Sequence, residues 1–104
     1  MTTFDDRENA FENKFAHDEQ MKFKAEARRN KLLGLWAAGL MGKSGDEAAA
    51  YAKEVVMSDF EEAGDEDVFR KVAGDLGDRA EAATIRAKMV ELMVEAKRQI
   101  MEEN

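Results

Sequence analysis

No proline occurs among the 104 residues of this chain, and its 7 glycines fall in a few places. That distribution limits the fold more than any other feature. Proline breaks helices most strongly, so a chain without it can run helical wherever its apolar residues are suitably spaced. A glycine then marks where each run stops. The remainder is rich in Ala, Glu, Lys, Leu and Met, which favour helix.

Four segments lie between the glycines. The first spans about 19–41, with Asp18 as its N-cap, and Met21, Ala25, Leu32, Leu35 and Trp36 share one face at 100° per residue. Gly42 stands where that helix should stop. A second helix is expected over about 45–63. Ser44 and Glu47 form a capping box ahead of the stripe Ala48, Tyr51, Ala52, Val55 and Val56, with Phe60 at its edge and Gly64 at its close. A third, over about 66–74, carries Val68, Phe69, Val72 and Leu76 on one side, and Gly74 and Gly77 loosen its end. The last spans about 79–102, from Asp78 with Glu81 at the capping-box position. Its inner stripe is Ile85, Met89, Leu92, Ala96 and Ile100, and Val90, Val94 and Met101 form a second stripe, which predicts contacts on more than one side. No segment alternates with period two, so no sheet is expected. The fold class is all-α: residues 19–104 as a compact four-helix domain, preceded by a mobile amphipathic arm over 1–18.

A chain of this length is expected to be one domain and can bury about two-thirds of its surface. It contains no cysteine, which excludes a disulfide framework, a thiol nucleophile and a Cys-based zinc site. The net charge of −7 repels phosphate backbones and weighs against nucleic-acid binding. No apolar run approaches the roughly 18 residues of a membrane span, and the start is too acidic for a secretory signal, so a soluble, cytoplasmic protein is expected.

Several clusters invite a chemical reading. Gly42-Lys43-Ser44 matches the tail of a phosphate-binding loop, but Ala37 stands where that motif needs its first glycine. A helix stop, a solvated lysine and an N-cap serine account for it better. His17 is the single histidine, so no His-based metal cluster can form, and a solvent-facing position at a helix start is expected. The carboxylates Asp59, Glu61, Glu62, Asp65, Glu66 and Asp67 do not follow the calcium-loop pattern and read as a solvated run that favours a helix start. In the basic run KFKAEARRNK, Lys24, Arg28 and Lys31 share a flank. That flank suits either a rim for an acidic protein partner or a solvated surface. No nucleophile–base set is present, so no enzymatic activity is expected, and no cofactor.

Three of the 6 phenylalanines, Phe4, Phe11 and Phe15, lie in the first fifteen residues among charges. On a helix they fall within about 40° of one another. They would therefore form a stripe, about a quarter turn from the face of Met21 and Ala25. Either the rings fold back to cap the bundle, or they await a groove in another protein. Residue chemistry alone leaves both open.

The stretches MTTFDDRENAFENKFAHD, FKAEARRNKLLGLWAAGLMGKSGDEAAAYAKEVV, SDFEEAGDEDVFRKV and TIRAKMVELMVEAKRQI together resemble the ζ-type inhibitor subunit of the α-proteobacterial F-type ATP synthase. The resemblance implies a four-helix protein, monomeric when free, that binds the catalytic head of the synthase. Its partners would be the α, β and rotor γ subunits, placing it peripherally at the inner membrane. It implies that residues 1–18 become helical in a catalytic interface and block ATP hydrolysis. By the chemistry of their side chains, Phe4, Phe11 and Phe15 would be the apolar anchors of that arm and Asp5, Arg7, Glu8 and Lys14 its polar contacts, while the charge of the basic flank makes Lys24, Arg28 and Lys31 the partner rim. The alternatives are a nucleotide-binding regulatory bundle and a general helical adaptor.

Overall fold

The computed structural model describes residues 19–58 and 65–103. Helix α1 spans Glu19–Leu40, α2 Gly45–Ser58, α3 Glu66–Leu76 and α4 Ala82–Glu103, with a 3-10 turn at Gly77–Arg79. No strand occurs among the described residues. Among the described residues the fold is all-α, with four helices, as the glycine punctuation predicts. Phe60, Gly64 and the whole of 1–18 lie outside the described residues.

Helix α1 is the shared partner. It packs against α2, α3 and α4, while α3 bridges to both α2 and α4. The main core gathers Leu33, Ala37 and Ala38 of α1, Tyr51 and Val55 of α2, Val68, Val72 and Leu76 of α3, and Ile85 and Met89 of α4. A smaller cluster of Met21, Ala25 and Ile100, joined by Met93 and Met101, closes the α1–α4 seam.

The face that α1 buries differs from the expected one. Met21 and Ala25 are buried, but Leu32 and Trp36 are half-buried and Leu35 is 38% exposed. Arg29, Asn30, Leu33, Gly34, Ala37 and Ala38 are buried in their stead. The reason is the closeness of α2. A β-carbon built on Gly34 would come within 2.6 Å of the Ala52 α-carbon. Small residues at 34, 37 and 38 let the backbones approach, and the larger Leu35 is turned outward.

Helix α1 ends in a Schellman motif. The Lys43 N–H donates to the Ala38 carbonyl at 2.9 Å and the Gly42 N–H to the Gly39 carbonyl at 3.2 Å. Gly42 takes the left-handed φ of 77° that this closure requires. Ser44 directly precedes the first residue of α2. Helix α3 runs through the exposed Gly74 to Leu76, because Leu76 is fully buried in the core. Asp78 lies in the 3-10 turn, and it is the Glu81 carbonyl that accepts the first α4 bond, from the Ile85 N–H at 3.1 Å. The α4 capping position therefore belongs to Glu81. On α4 the inner stripe is buried at Ile85, Met89, Ala96 and Ile100, with Leu92 partly so. The second stripe is divided: Met101 joins the smaller cluster, while Val90 and Val94 are exposed.

Candidate partner-binding surface

The basic run on α1 separates into two populations. Arg28 and Arg29 turn inward, and Lys24 and Lys31 remain in solvent. Arg28 clamps α1 to the end of α4, donating from Nη1 to the Gln99 side-chain oxygen at 2.8 Å and pairing through Nη2 with Glu103 at 2.7 Å. Arg29 is only 2% exposed. Its Nε donates to Asn30 Oδ1 at 2.7 Å, and its Nη2 reaches Asp65 at 2.8 Å. The Asn30 amide nitrogen is buried without a hydrogen-bond partner.

That geometry explains the start of α3. Asp65 is its N-cap residue, and its carbonyl accepts from the Phe69 N–H at 3.0 Å, but its side chain makes no capping bond. The carboxylate is held by Arg29 instead. Glu66 takes Arg86 in a two-point bond at 3.0 and 3.2 Å, and the guanidinium lies 3.8 Å over the Phe69 ring. The hydrogen bonds from Arg86 hold the Glu66 carboxyl below the usual range. Asp67 pairs with Arg70 at 3.5 Å. The carboxylates that can be followed thus answer arginines, and no group of three or more His, Cys, Asp or Glu suited to a metal occurs among the described residues. Asp59, Glu61 and Glu62 fall outside them.

A second polar network joins α2 to α3. The Tyr51 hydroxyl donates to Asp75 at 3.0 Å, and Lys71 pairs with Asp75 at 3.0 Å and Glu54 at 3.5 Å. Burial, then the hydrogen bond to Asp75, pushes the Tyr51 phenol well above its ordinary pKa.

Gly42-Lys43-Ser44 is the connection between α1 and α2. A phosphate-binding loop offers free backbone N–H groups to its ligand. Here the N–H groups of Gly42 and Lys43 are spent on α1 carbonyls. The helix-stop reading holds.

Phe4, Asp5, Arg7, Glu8, Phe11, Lys14, Phe15 and His17 lie outside the described residues. Of the rim residues, Lys24 and Arg28 line one groove beside α2 and the end of α4, and Lys31 lines both that groove and a second one beside α2. Sequence reasoning missed two features of this surface. Arg29 and Asn30 as core residues were signalled only by the four-residue step Met21, Ala25, Arg29, Leu33, Ala37. Lys53, which faces Lys31 across the groove, carried no signal at all.

No helix among the described residues is long and apolar enough to cross a membrane. No curated protein matches this chain at a significant level. A solved solution NMR structure is similar, with 64% identity and a TM-score of 0.76 over 81% of this chain and 99% of that one. The family model described as ATPase inhibitor subunit zeta matches residues 1–99, taking in the phenylalanine-bearing opening as well as all but the last turn of α4. The chain belongs to the ATPase inhibitor subunit zeta family, a family of regulatory subunits.

Proposed function

We propose that this protein inhibits ATP hydrolysis by the F-type ATP synthase, binding its catalytic head and inserting residues 1–18 at a catalytic interface beside the rotor. The carrying observation is that the family match begins at residue 1 rather than at the first described helix. On this reading Phe4, Phe11 and Phe15 are the anchors, and Asp5, Arg7, Glu8 and Lys14 make the flanking polar contacts. Three aromatic side chains at about 1.5–3 kcal/mol each can exceed the roughly 2–5 kcal/mol that ordering such a segment costs on binding. The bundle holds the arm near its site and raises its effective concentration there. The protein would then lie peripherally at the inner membrane through the synthase.

The test is ATP hydrolysis by the cognate synthase with the full chain, with a chain lacking 1–17, and without either. Inhibition by the full chain that is lost on truncation, with helical content and melting retained, is the expected result. Equal inhibition by the truncated chain refutes the arm mechanism. The nucleotide-binding alternative has no support at Gly42-Lys43-Ser44, whose glycine and lysine N–H groups are already bonded.

A further inference from the structure

Two grooves meet end to end along the α1–α2 edge. One, of about 470 Å³, includes Lys24, Ala27, Arg28, Lys31 and Val56 in its lining. The other, of about 250 Å³, is lined by Lys31, Leu35, Ala49, Ala52, Lys53 and Val56. Lys31 and Val56 belong to both, so the two form one furrow. Its floor is apolar: Ala27, Ala52 and Val56, with Leu35 at 38% exposure toward one end.

The rim is cationic in a chain of net charge −7. The charged groups lining the furrow are Lys24, Arg28, Lys31, Lys53 and Glu103, and Glu103 is neutralised by Arg28 at 2.7 Å. Arg28, Arg29, Arg70, Arg86 and Arg98 are all ion-paired. Lys24, Lys31 and Lys53 are exposed, and none pairs with an acid among the described residues. Three cations with no acidic partner among the described residues, set around an apolar floor, form the complement of an acidic amphipathic helix. A phosphate backbone would meet the same cations but leave the floor unfilled.

We infer that this furrow docks an amphipathic helix of the catalytic head, one that carries acidic residues two turns apart for Lys24 and Lys31 and a further acid on its other flank for Lys53. The inference rests on the function proposed above and names the bundle's own contact, distinct from the arm. From Lys24 to Leu35 the furrow runs about 16 Å, or three helical turns. Apolar side chains of the partner helix would fill the floor between the charged rows.

The test uses the full chain and the purified catalytic head, with binding kinetics measured at about 50 mM and about 250 mM salt, where exposed charges are screened differently. The variants are Lys24→Glu/Lys31→Glu/Lys53→Glu together, Lys31→Glu alone and Leu35→Asp. Melting curves establish that each is folded, and Lys31→Glu is the mildest of them. The triple variant should bind about thirtyfold more weakly at low salt, mainly through slower association, and should lose the salt dependence that the wild type shows. Leu35→Asp should dissociate about tenfold faster. Wild-type binding that folded variants match at both salt concentrations overturns the furrow and leaves the inhibitor reading standing. A wild-type chain that does not bind the head removes both. Charge-dependent capture by phosphatidylglycerol vesicles, with head binding unchanged in the variants, would assign the furrow to lipid and overturn the helix proposal.

Discussion

The two halves of α1 solve the same packing problem differently. From Leu33 to Ala38 the buried face of the helix is wholly apolar, a dry contact. Gly34, Ala37 and Ala38 bring α2 close, and the fully buried Val55, Val68 and Val72 fill the remaining space. From Met21 to Asn30 the buried face holds Met21 and Ala25 but also a guanidinium and an amide. The dry half depends on shape: a β-carbon added at Gly34 meets the Ala52 backbone. The polar half depends on partners: Arg29 is tolerable there only because Asn30 and Asp65 receive its N–H groups. Shape complementarity is broken by enlargement, and charge satisfaction by removing the other member of the pair.

The largest expected effect follows from that asymmetry. Asp65→Ala leaves a guanidinium in the core with its ion-pair partner gone and should cost about 3 kcal/mol, the low end for stranding a buried charge because Asp65 itself is well exposed. Arg29→Met removes the charge and keeps most of the volume but leaves the buried Asn30 Oδ1 without its donor, so it should cost about 1–2 kcal/mol, less than Asp65→Ala. Urea melts of the two variants check the ordering. If Arg29→Met is the more damaging, Arg29 contributes net attraction rather than a liability held in check.

Gly34→Ala probes the dry half. Alanine favours helix over glycine by about 1 kcal/mol, yet the new methyl would press on the Ala52 backbone, and overpacking of that kind costs about 1–3 kcal/mol. A net loss of up to about 2 kcal/mol is expected, read as a lowered urea midpoint. Gly34→Ala paired with Ala52→Gly should recover part of it, because the methyl group of Ala52, 3.2 Å away, is removed.

Tyr51 tests a satisfied polar group at the edge of the dry core. Tyr51→Phe loses the hydrogen bond to Asp75 and should cost about 1 kcal/mol. It is the single tyrosine, so phenolate absorbance reads it alone. Its folded pKa is raised, so its contribution is fully present below the unfolded value near about 10 and is lost as pH rises beyond it. Absorbance should therefore stay flat through pH 10–11 in the folded protein and rise only as the protein unfolds. Early titration would show that burial and Asp75 do not hold the phenol.

The smallest effect belongs to Arg28. Its clamp onto Gln99 and Glu103 lies near the surface, so Arg28→Ala should cost under about 1 kcal/mol and matter less at high salt. A loss comparable with that of Asp65→Ala would mean that the α1–α4 seam, rather than the Arg29 site, governs the polar half.

Gly42 and the apolar spacing of α2, α3 and α4 were legible along the chain because helix termination and amphipathicity are local: they depend on residues within one or two turns. Tyr51, Val55, Val68, Val72, Ile85 and Met89 could be placed in the core on that basis alone. The face of α1 could not. Its apolar residues are spread around the helix, so hydrophobicity points nowhere in particular, and the decision falls to which surface lets α2 come closest. The same tertiary choice turned Leu35 outward, buried Arg29 beside Asn30, and drew Asp65 away from capping α3. It also set Lys53 opposite Lys31, which are 22 positions apart in the chain. Local periodicity determined where the helices run; close packing and charge satisfaction between distant segments decided which side each one shows.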